Sequence, residues 1–140
     1  MLNQRLVVGM ALIALTQTLA AQTPAATSPH KVIVKLVDNG GPAPYAFDPP
    51  VVNVQPGDTV VFTEAANVLH NVHFMKEPAG AKLGSATVSP WLMKLGDTFT
   101  VVLDKRFTAG TYEYVCEPHQ MLGMHGTMIL AKSERQMSGQ

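Results

Sequence analysis

The chain has 140 residues, ten Lys and Arg against ten Asp and Glu, and a single cysteine. That length suits one domain, and the even charge balance excludes the basic surface that nucleic acid requires. One cysteine cannot form an internal disulfide, so in an exported chain it marks a reactive thiol, an intermolecular bridge or a metal ligand.

Residues 1–21 open with one cation, Arg5, continue through the apolar run Leu6 to Leu15, and end on small residues at Thr18, Ala20 and Ala21. A charged start, an apolar run of about 7–15 residues and a small-residue end describe a secretory signal peptide. The run is shorter than the about 20 residues that span a bilayer, which disfavours the alternative of an uncleaved anchor. Cleavage is expected after Ala20 or Ala21, giving an exported chain, periplasmic or secreted. Without Arg5, nine basic residues face ten acidic ones. Residues 22–29 are one Gln followed by Ala, Thr, Pro and Ser, with too little apolar content to pack, and are expected to be a flexible lead-in. The domain is expected at 30–133, followed by a short tail at 134–140. No later apolar run is long enough to cross a membrane, so the mature chain is expected to be soluble.

β-branched or alternating runs predict strands at 31–38, 51–54, 59–63, 70–75, 98–103, 111–116 and 126–131, punctuated by turns such as Asn39-Gly-Gly-Pro42, Gln55-Pro-Gly-Asp58 and Ala109-Gly110. Residues 77–95 carry Pro, Gly and Ser and read as a connection, with one helical turn expected around Pro90 to Met93. Short strands in series imply an all-β sandwich or barrel.

The chemistry is concentrated in Cys116-x2-His119-x4-Met124, set between two β-runs with Pro118 and Gly123 to turn the chain. A thiolate, an imidazole and a thioether can thus converge from one short loop. A further ligand has to come from elsewhere, and His70, at the start of another β-run, is the candidate. Two His, one Cys and a weak axial Met make a blue-copper electron-transfer site.

The segment Gly110-Thr-Tyr-x-Tyr-x-Cys-Glu-Pro-His-Gln-x-x-Gly-Met-x-Gly-Thr closely resembles the copper loop of plastocyanins. Leu69-His70-Asn71-Val72 resembles the segment with their first histidine ligand, and Gln55-Pro-Gly-Asp58 the turn before it. The resemblance spans residues 31–132 and implies a plastocyanin-like cupredoxin: a Greek-key β-sandwich of about eight strands with one type 1 copper near one end. It assigns His70, Cys116 and His119 as strong ligands and Met124 as the axial one, and gives Asn71 the role of tying the His70 segment to the Cys116 loop. Val115 departs from the tyrosine that photosynthetic members carry there, and the acidic docking patches of plant members have no counterpart.

These readings lead to an expected soluble, exported, monomeric one-electron carrier, not an enzyme. Its expected partners are haem or copper redox proteins, met at an apolar patch of Met121 and Leu122 beside the His119 edge. A periplasmic copper-binding or delivery protein is the alternative, although the methionines are scattered rather than clustered. His73 is expected to face away from His70, His125 to point to solvent, and His30 to have no role. Met75, Met93 and Met128 are expected in the core, with Trp91 and Leu92 as a plug under the connection.

Overall fold

A computed structural model describes residues 28–133. The expected leader, all but the last two residues of the lead-in, and the tail lie outside the described residues. Eight strands form two four-stranded sheets: β1 (Lys31–Asp38), β2 (Tyr45–Asp48), β3 (Val51–Val54), β4 (Thr59–Glu64), β5 (His73–Lys76), β6 (Thr98–Val102), β7 (Gly110–Val115) and β8 (His125–Leu130). One sheet runs β2-β1-β4-β6 and the other β3-β8-β7-β5. Within them β1 lies parallel to β4 and β3 parallel to β8, while the remaining pairs are antiparallel. The expected all-β sandwich of about eight strands is the observed architecture.

Strand alternation decides what enters the core. Val34 and Leu36 of β1, Val60 and Phe62 of β4, Tyr112 and Tyr114 of β7, and Met128 and Leu130 of β8 point inward and are buried. The Tyr114 ring stands edge-on to Phe47, Phe62 and Phe74, with centroids 4.8, 5.2 and 5.4 Å away. A β-carbon on Gly126 would overlap that ring, so β8 approaches β7 closely only because residue 126 is glycine. At the opposite end of β7, the Tyr112 hydroxyl donates to Thr108 O at 2.8 Å and accepts from Thr108 N–H at 2.9 Å, locking the turn into the strand.

Several expectations need correction. Strand β2, flanked by Pro44 and Pro49, was not expected; its partner β1 supplies the order that local sequence does not. The run expected at 70–75 begins as a strand only at His73. His70 instead forms an isolated bridge to Leu92, with N–H to carbonyl bonds of 2.9 Å in both directions. That bridge replaces the helical turn expected at 90–93, and the turn of 3₁₀ helix in this connection lies at Gly84–Ala86. Because Leu92 points inward, its neighbours point out: Trp91 is 50% exposed and Met93 55%. Met75 is 58% exposed for the same reason of parity, as Phe74 takes the inward position. Met128 and Leu92 are buried as expected. His30 is tied to the domain, its N–H donating to Asp58 Oδ1 at 2.7 Å.

Candidate metal centre

The inward face of β7 continues past its end. Tyr112 and Tyr114 share a parity with Cys116, and on β8 Met128 and Gly126 share one with Met124. The β7–β8 register pairs Val115 with His125, so Cys116 and Met124 come opposite each other one step further, where Cys116 N–H donates to Met124 O at 3.2 Å. Both are fully buried. Between them a 3₁₀ turn, Glu117–Leu122, carries Pro118 at its second position and is capped by Gly123 in the left-handed region at φ 89°. Its bonds His119 N–H to Cys116 O (3.1 Å) and Met124 N–H to His119 O (3.2 Å) fold the loop onto itself.

His70 approaches from the other sheet. β4 ends at Glu64, the chain turns through Asn67 at φ 53°, and the Leu92 bridge fixes the His70 backbone. Asparagine tolerates this left-handed conformation better than most residues. The donor atoms of His70, Cys116 and His119 lie within 4.8 Å of one another, with Cys116 Sγ 3.5 Å from His119 Nδ1. The two imidazoles stand edge to face at 4.9 Å. Met124 is buried in the same apolar cluster as Cys116.

Asn71 clamps the two halves together. Its Oδ1 accepts from Glu117 N–H at 2.8 Å and its Nδ2 donates to Glu117 Oε2 at 2.6 Å. The other Glu117 oxygen meets His73 Nδ1 at 2.9 Å, so His73 serves this surface pair and stays outside the cluster. Those bonds, His73 first, hold the Glu117 carboxyl below its usual range. His125 Nε2 lies 3.0 Å from Gln120 O on the exposed side of the loop.

Both loop groups, Cys116 and His119, are held toward their neutral forms by burial. Burial, then the adjacent His70 ring, depresses His119 below the usual histidine range, so both disfavour a charged ring. Burial raises the Cys116 thiol, partly offset by backbone N–H groups of Asn71 and His119. A bound metal deprotonates such a thiol outright. His70 Nε2 is buried with no hydrogen-bond partner among the described residues. An orphaned nitrogen inside a Cys–His cluster is costly as it stands and is satisfied by a metal ion.

Two residues here were missed from sequence. Tyr45 of β2 stacks on His119, with centroids 3.8 Å apart and planes at 27°, and meets His70 edge-on at 5.6 Å. Glu64 lies 2.8 Å from His70 Nδ1. The available signal for Glu64 was parity, since alternation from Val60 and Phe62 puts a carboxylate on the apolar face of β4.

The profile of copper-binding proteins of the plastocyanin/azurin family matches residues 26–131. The chain belongs to this family. Plastocyanin of Scenedesmus fuscus is 36% identical over 101 residues, covering 71% of this chain and 98% of the relative. The structure of oxidised plastocyanin from Dryopteris crassirhizoma is 28% identical with a TM-score of 0.59, covering 71% of this chain and all of the fern protein. A Sinorhizobium pseudoazurin structure is 33% identical with a TM-score of 0.53, covering 77% of this chain and 79% of that one. The cofactor of this cupredoxin is copper, and its cluster of one thiol and two imidazoles has the donor chemistry of a type 1 site.

Proposed function

We propose that this cupredoxin is an exported, monomeric carrier of single electrons between haem or copper redox proteins, with His70, Cys116, His119 and Met124 as the copper ligands. The observation that carries the reading is the convergence of one thiol and two imidazoles within 4.8 Å, with one buried imidazole nitrogen left unpartnered. When bound, copper supplies the chemistry by accepting one electron as Cu(II) and releasing it as Cu(I).

The chain's own residues make that exchange specific. Buried His70, Cys116 and Met124 exclude water, while His119 is partly exposed and gives the electron a short route to the surface. Tyr45 packs on the His119 ring, and the Asn71–Glu117 clamp keeps both loops in register, so the ligand frame resists change between oxidation states. Met121, 91% exposed, and the exposed Leu122 flank His119 in the same turn, supporting a small apolar docking surface. Small interfaces suit brief encounters. Among the described residues no helix is long and apolar enough to cross a membrane. Export rests on the leader sequence, and the exported protein should have a mass that begins after Ala20 or Ala21.

The test is a copper titration followed by visible absorption. The loaded protein should be intensely blue through thiolate-to-Cu(II) charge transfer. Cys116→Ala should abolish the colour and Met121→Leu should preserve it. A colourless complex would favour copper delivery instead, and equal loss in both variants would displace the ligand assignment.

A further inference from the structure

The buried carboxylate of Glu64 has no place in the ligand set, yet it lies against it. Its side chain is fully buried at the inward end of β4, next in parity after Phe62. Burying a charge is costly unless it is paired and hydrogen-bonded. Both oxygens meet this condition: Oε1 accepts from Ala66 N–H at 2.8 Å, and Oε2 lies 2.8 Å from His70 Nδ1. The backbone is pinned as well, with Glu64 N–H donating to Asp97 O and Gly96 N–H to Glu64 O, each at 2.9 Å.

The proton between Glu64 and His70 can be placed. If the carboxyl carried it and donated to Nδ1, the ring hydrogen would sit on Nε2, a buried N–H facing no acceptor. If Nδ1 carries it, Glu64 is ionised with both oxygens accepting, and Nε2 turns a lone pair to its surroundings. Only the second arrangement leaves no donor stranded and suits His70 to a cation. Metal-bound histidines commonly donate their other N–H to a carboxylate, which fixes the ring and raises its basicity.

We infer that Glu64 is a positioning residue that sets the redox balance of the centre, holding the His70 ring and favouring the oxidised ion through its buried negative charge. The inference rests on the copper reading above. A divalent ion bound by the Cys116 thiolate leaves one net positive charge, which the Glu64 carboxylate neutralises. The added electron then creates a net negative charge in a buried site, where Coulomb interactions are weakly screened. The buried carboxylate therefore lowers the reduction potential.

Glu64→Gln keeps the volume and an acceptor for Ala66 N–H while removing the charge. Copper-loaded wild type and variant are compared by potentiometric titration, and the His70 Nδ1–H resonance is followed in the reduced proteins by NMR. The expected result is a blue variant with a higher midpoint potential and an upfield-shifted or lost Nδ1–H signal. A blue variant whose potential is unchanged or lower overturns the inference and leaves the copper reading intact. If Glu64→Gln fails to hold copper, Glu64→Asp decides. Binding restored by the shorter acid supports the charge; loss in both variants makes Glu64 a packing residue and overturns its redox role. Wild type that binds no copper sinks the copper reading itself.

Discussion

The Tyr114 ring is buried among Phe47, Phe62 and Phe74, and its buried hydroxyl has no hydrogen-bond partner among the described residues. Burial pushes its ionisation far above the ordinary range, so it stays neutral. An unsatisfied buried polar group costs about 1–3 kcal/mol. Tyr114→Phe keeps the ring against Gly126 and should therefore stabilise the protein by up to that amount in denaturant unfolding. A loss of stability would mean that the hydroxyl is paired in solution. Single residues also show what the sequence could disclose about the site. The meeting of Cys116 and His119 was legible because one loop carries both at fixed spacing, with Met124 buried in the same apolar cluster as Cys116. Tyr45 and Glu64 were not, since neither lies near that loop in sequence and each reaches the site only after strands from different parts of the chain have paired. His70 stood between these cases: its place as a candidate came from a β-run, and its assignment from the family resemblance.

At the scale of elements, the turn around 93–97 has more responsibility than its exposed residues suggest. Asp97 Oδ2 accepts from Met93 N–H and Lys94 N–H, both at 2.9 Å, and these bonds hold its carboxyl below the ordinary 3.8. The turn follows Leu92, which bridges His70, and its backbone brackets Glu64. A depressed carboxyl stabilises the fold fully above its ordinary value and loses that contribution as pH falls through the lowered value. Metal-free wild type should thus exceed Asp97→Asn in denaturation midpoint at neutral pH, with the gap narrowing in acid below 3.8. A gap that ignores pH would remove the charge of Asp97 from the explanation. Regular strands such as β1, β3 and β4 were legible because alternation or β-branched runs announce them. β2 was hidden between prolines, and the 77–95 connection has no period from which burial can be read. Hydrophobicity alone placed Trp91 and Met93 inside, whereas the Leu92 bridge sends both outward.

For the whole molecule, ten basic and ten acidic residues leave little field to draw in a charged partner. Apolar residues beside His119 fit that neutrality. Electron exchange between copies should consequently change little with added salt, as measured by line broadening in mixtures of oxidised and reduced protein. A steep salt dependence would point to a local charged patch in control. The Asn71–Glu117 pair has a wider consequence, for it joins positions 46 residues apart without needing an ion. The protein has thus already met the entropic cost of closing that large loop before copper arrives. Loading then resembles setting a stone in a finished ring: little backbone has to be ordered, and removing the ion leaves the mount standing.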